Sequence, residues 1–174
     1  NFALLTMAKL GIINAEKYAL NTPDYKGYAL KTEMTYLEID TLKMLLLPGE
    51  IFPELVYGGY LSAEESAEGK GPEVNPAPLT DIIGDKNLLV FGLANDEIGY
   101  IVTPNDFLLD PVTSYLDGGR DRLGRRHYEE TNSLGPNTAY KIAEVFTAIA
   151  EKVNAVKRGC VRAQATFCFK LGRL

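Results

Sequence analysis

The chain has one histidine, two cysteines and no apolar run longer than a few residues. Each scarcity removes a class of function. A membrane-crossing helix needs about 20 apolar residues, and the longest candidate here, Met44 to Leu47, suits only a strand. A lone His127 leaves no HExxH metal motif, and no P-loop, nucleophile elbow or CxxC pair occurs either. Cys160 and Cys168 make no recognisable zinc spacing and say little about redox compartment. No internal repeat is present. Acids outnumber bases for a net charge of −5, which argues against nucleic acid as the partner, because phosphate binding calls for a basic surface.

What is present suits one folded unit. At 174 residues and 46% hydrophobic composition, a chain can bury roughly 70% of its unfolded surface. The charge is unevenly spread. Residues 157–174 carry five basic side chains and no acid, which leaves residues 1–156 with 13 basic and 23 acidic groups. That basic tail reads either as a non-native extension or as a native C-terminal strand. The chain opens on Asn1 rather than Met, which suits a processed product or a piece of something larger. The lack of a signal peptide therefore leaves localisation open.

Hydrophobic spacing predicts the elements. Residues 3–19 carry helix-like apolar positions, broken at Gly11 into a helix and turn or continued as one helix. Asn21 to Asp24 reads as a turn. Met34 to Ile39 and Leu42 to Leu47 read as two strands joined by a tight turn at Asp40-Thr41, with Pro48-Gly49 ending the second just before Glu50. An irregular helix fits residues 51–61. Residues 62–80, SAEESAEGKGPEVNPAPLT, read as a mobile acidic surface loop. Leu88 to Phe91 reads as a buried strand, followed by the polar turn Asn95-Asp96-Glu97 and a second strand from Tyr100. Asn105-Asp106 and Asp110-Pro111 read as local turn chemistry, and Arg120 to Arg126 as a solvated face. Residues 137–156 repeat apolar side chains on one helical face, with Pro136 near the first turn and Ser133 or Asn137 as cap. The expected class is α/β, with α+β as the alternative: a mixed sheet with hairpin strands and a long C-terminal helix, forming part of a larger layered catalytic domain.

Three polar positions stand at strand or loop ends: Glu50, Tyr100 and the run His127-Tyr128-Glu129-Glu130. Rigid scaffolds often present reactive groups at such ends. A carboxylate with an imidazole or phenol suits a cation such as zinc. Each also has a plainer reading: a solvated turn acid, an edge aromatic, a structurally hydrogen-bonded histidine. Asp96 and Glu97 could simply terminate a strand.

Taken in order, LLLPGE at 45–50, GLANDEIGYIVT at 92–103 and HYEETNSLGPNTA at 127–139 resemble the neutral/alkaline (non-lysosomal) ceramidase family. The similarity runs over about residues 28 to 156, in the second half of that family's catalytic domain. The resemblance implies a zinc-dependent amidohydrolase acting on an N-acyl amide of a hydrophobic, lipid-like substrate, secreted or membrane-associated. It implies Glu50 and Tyr100 as metal ligands, with Tyr100 and Tyr128 as catalytic residues, Tyr128 at the reacting carbonyl. The family's two histidine ligands lie upstream, so the resemblance implies that residues 1–156 are a C-terminal portion whose missing N-terminal half completes the zinc site. Such a chain alone is expected to be inactive and to self-associate. The alternatives are a noncatalytic binding or structural module on the same scaffold, and a related hydrolase acting on a different amide or an ester.

Overall fold

The computed structural model describes residues 6–7, 9–12, 15–18, 27–113, 118–155 and 161–170. The turn expected at Asn21 to Asp24 and Cys160 of the basic tail lie outside them. The chain divides into two compact units, residues 1–32 with 166–174, and residues 33–165. The class is α/β, with a mixed sheet and a C-terminal helix.

In the smaller unit a short helical turn at Thr6, Met7 and Lys9 ends at Gly11, whose φ of +69° breaks the helix. Helical spacing does not continue through residue 19. Ala15–Tyr18 is instead a strand (β1), paired antiparallel with the start of β2 (Gly27–Ile39), Ala15 opposite Leu30 and Tyr18 opposite Gly27. Cross-strand pairing overrides a weak local period.

The larger unit is built on the expected hairpin. Thr35 to Ile39 of β2 pair antiparallel with β3 (Leu42–Leu46), and Asp40 takes φ +57° in the turn. β3 then pairs in parallel with β5 (Leu89–Phe91), the crossover containing α1 (Pro53–Tyr57) and α2 (Leu79–Ile83). A parallel neighbour requires such a long return path. The basic tail contributes β9 (Val161–Lys170), which pairs with β2. The helical face expected at residues 137–156 is α3 (Thr138–Ala155), which buries Ile142, Phe146, Ile149 and Val153.

The sheet has two unlike faces, as strand alternation dictates. On one, Met34, Tyr36 and Leu45 are fully buried, and the Tyr36 ring lies 6.1 Å from that of Phe146 on α3. On the other, Ile39, Leu42, Leu89 and Phe91 are all exposed. This corrects the expectation of a buried strand at 88–91. Only Leu88 of that run is buried, because β5 is the last strand of the sheet path and nothing among the described residues covers its outer face.

Residues 62–80 also differ from a solvated loop. Ser66 and Ala67 are buried. Arg122 donates to the carbonyls of Ala63, Glu64 and Ser66, and Arg125 to that of Glu65. Asp106 accepts from the Ala67 amide, and Asn105, itself buried, donates to the Leu61 carbonyl. Arg122 and Arg125 of the largely exposed 120–126 run, and the side chains of Asn105 and Asp106, are therefore engaged in long-range cross-links. Carbonyl oxygens gathered in an irregular loop need donors, and guanidinium groups supply several each. Asp110 does act locally, accepting from the amides of Val112 and Thr113.

Candidate active site

The Pro48-Gly49 turn is sewn to residues 91–101 by main-chain bonds. The amides of Leu93 and Ile98 donate to the carbonyls of Gly49 and Pro48, and the amide of Glu50 donates to Gly99. These bonds lay β4 (Glu50–Ile51) parallel to β6 (Tyr100–Ile101), with Glu50 opposite Tyr100. Parallel register partners point to the same face, so a carboxylate and a phenol project side by side. Glycine permits the approach: a Cβ on Gly49 would lie 2.5 Å from the Gly99 carbonyl oxygen. Leu93 and Asn95 take left-handed φ values in the intervening turn, and Glu97 accepts from the Gly99 amide. Asn95, Asp96 and Glu97 thus shape the turn that delivers Tyr100.

Tyr128 reaches the same place from a different part of the chain. It follows the small hairpin of β7 (Gly119–Arg120) and β8 (Arg126–His127) and precedes a 3-10 turn at Glu129–Asn132. Its hydroxyl is 3.4 Å from that of Tyr100, one donating to the other, and the rings meet edge to face at 6.0 Å and 82°. Gly118 passes close over it, since a Cβ there would be 3.1 Å from the Tyr128 backbone. Tyr128 is 54% exposed, Tyr100 half-buried and Glu50 exposed. The three candidates from separate stretches of sequence are thus neighbours on one open surface.

The electrostatics keep the Tyr100 phenol protonated. The Tyr128 hydrogen bond, partial burial and the negative charges of Glu50 and Glu129 push the Tyr100 pKa up to about 12. At neutral pH Tyr100 therefore keeps its proton and can donate it in a hydrogen bond. As metal donors the described residues give Glu50 and Tyr100, and among them no group of three or more His, Cys, Asp or Glu side chains could hold an ion. A catalytic zinc typically takes three protein ligands, so these residues do not make a zinc site by themselves.

A second cluster lies behind Tyr128, where His127 takes the structurally hydrogen-bonded role that was its plainer reading and gathers Glu130 and Asp121, the latter not singled out from sequence. His127 Nδ1 is 2.6 Å from Glu130 Oε1, and Nε2 is 3.3 Å from Asp121 Oδ2. Arg125 Nε donates to the same Asp121 oxygen at 2.7 Å, and its terminal nitrogen to Asp106 at 2.9 Å. His127, Glu130 and Asp121 are all buried. Burial pulls the His127 pKa down, but the bonds to Glu130 and Asp121 outweigh it and the net shift is upward. Burial likewise opposes ionisation of Asp121, yet the Arg125 bonds hold its carboxyl well below the usual range. The i,i+3 spacing of His127 and Glu130 was the available signal; Asp121 and Asp106 left none.

Fold and site together define an α/β scaffold that presents a carboxylate and two hydrogen-bonded phenols at adjoining strand and loop ends. No protein-family model, curated protein or solved structure matches the chain. Among the described residues no helix is long and apolar enough to cross a membrane.

Proposed function

We propose that this chain supplies the carboxylate-and-phenol half of a zinc-dependent amidohydrolase site like that of the neutral/alkaline ceramidases, acting on the N-acyl amide bond of a lipid-like substrate. The observation that carries the reading is the meeting of Glu50, Tyr100 and Tyr128, one from each of the three sequence motifs. Tyr128, the more exposed of the two phenols, is the donor for the developing oxyanion of the acyl carbonyl. Tyr100 backs it through the shared hydrogen bond. Glu50 and Tyr100 are too few to hold zinc tightly, and the remaining donors belong to a missing N-terminal half of the domain. The exposed apolar sheet face of Ile39, Leu42, Leu89 and Phe91 supports a partial domain, being the kind of surface a second layer covers.

The test uses the longer protein that contains this chain. Stoichiometric zinc and hydrolysis of N-acyl lipid amides are expected, with both lost in Glu50→Gln and hydrolysis reduced at least 100-fold in Tyr128→Phe, about the worth of one oxyanion donor. A metal-free protein without amidase activity would leave a binding scaffold instead. Preference for a peptide or ester in a substrate panel would move the assignment to a related hydrolase. The 174-residue chain alone is expected to bind zinc weakly and hydrolyse nothing measurable.

A further inference from the structure

His127 and Glu130 bracket Tyr128. The two side chains turn inward and bond at 2.6 Å, while the residue just after the histidine turns outward to 54% exposure and meets Tyr100. An ionised carboxylate only accepts hydrogen bonds, and a neutral imidazole has one N–H. With Glu130 on one ring nitrogen and Asp121 on the other, both contacts are satisfied only when both nitrogens carry protons. We infer that His127 is a positioning residue, an imidazolium held between Glu130 and Asp121 that fixes the backbone presenting Tyr128 to Tyr100.

The clasp has a weak side. Glu130 is anchored through Oε1 alone, which also accepts from the Leu108 amide at 3.2 Å, while Oε2 is buried with no hydrogen-bond partner. A cavity of about 110 Å³ adjoins the cluster, lined by Phe52, His127 and Glu130 among others, so there is room for the side chains to move. The charged groups facing His127 are Glu130 from the 3-10 turn, Asp121 from the β7–β8 hairpin, and Asp106 and Arg125 beyond it; Arg126 and Glu129 line the same cavity. Loss of the imidazole proton turns one nitrogen lone pair toward a carboxylate oxygen and removes one of the two bonds that hold Glu130 or the bond to Asp121. Because the shift is upward, the clasp is whole below about pH 6.5, the ordinary histidine value, and is lost as pH rises through the higher folded value. The same chain of bonds continues through Asp121, Arg125 and Asp106 to the Ala67 amide, so the 62–70 segment and Tyr128 share one electrostatic anchor.

The inference rests on the tyrosine pair being the working site, but its test reads position and not turnover. His127 is the only histidine, so the imidazole nitrogen resonances of the intact chain belong to it. Nitrogen-15 NMR is expected to show both nitrogens protonated below about pH 6.5, the ordinary histidine value, with the midpoint lying above it. The ring-to-ring nuclear Overhauser contact between Tyr100 and Tyr128 is expected to weaken through that same midpoint. In Glu130→Gln the midpoint falls by about one to three pH units, the usual effect of one close carboxylate, and the ring contact weakens at correspondingly lower pH. A midpoint at or below the ordinary histidine value would overturn the inference, as would a ring contact that persists unchanged across the midpoint. The wild-type titration decides whether or not the variant folds, and a protein found to lack zinc or amidase activity leaves these readouts intact.

Discussion

At Gly99 the backbone takes φ +85°, and a Cβ there would come within 1.7 Å of the Asn132 carbonyl oxygen. No side chain fits, so Gly99→Ala must displace either the β4–β6 pair or the turn after Tyr128. The expected cost is about 2 kcal/mol or more, read as a lower urea midpoint by tyrosine fluorescence, which no tryptophan obscures. An unchanged midpoint would mean the close approach does not hold in solution. The phenol pair gives a second residue-level prediction. Since the Tyr128 bond is the largest cause of the raised Tyr100 pKa, Tyr128→Phe should bring that pKa from about 12 back toward 10. Tyr100 ring shifts followed through alkaline pH measure this directly, and a value still near 12 would assign the shift to Glu50 and burial.

At the level of elements, two arginines on one hairpin hold a loop that local sequence cannot order. Arg122→Ala and Arg125→Ala each remove donors from the 63–66 carbonyls, and Arg125→Ala also removes one bond each from Asp106 and Asp121. Faster hydrogen exchange at the Ala67 amide is expected in both, with the larger effect in Arg125→Ala; equal protection in the three proteins would show that the loop orders itself. This clamp also marks where the sequence stopped being legible. The β2–β3 hairpin and α3 were readable because apolar periodicity records which face meets the core. Glu50, Tyr100 and Tyr128 were readable as strand-end or loop-end polar groups in a family-like order. The Arg122 and Arg125 contacts were not, because charge-assisted bonds between two irregular loops have no period and depend on how the chain returns. The burial of 88–91 failed for a related reason: an apolar run states a preference for cover but does not say whether a covering element exists.

For the molecule as a whole, the consequence is an unbalanced surface. One sheet face is sealed by Tyr36, Leu45 and Phe146, while Ile39, Leu42, Leu89 and Phe91 leave the hairpin-turn and β5 end of the other face apolar and open. Concentration-dependent association of the isolated chain is expected, and Phe91→Lys should weaken it with little loss of stability, because Phe91 is already 49% exposed. Sedimentation velocity over a range of concentrations measures this. A wild-type chain that stays monomeric throughout, or a variant that associates equally, would show that the face is not adhesive.

The Glu50–Tyr100 pairing belongs to a parallel ladder only two residues long. Because side chains alternate between faces, a slip of one residue would turn Tyr100 away and bring Ile101 or Gly99 opposite Glu50. Nothing intermediate exists between those arrangements. The site therefore behaves as an indexed mechanism with discrete settings, in which substitutions around the Pro48-Gly49 and Gly99 turns are expected to divide into tolerated and abolishing, with few that merely weaken it.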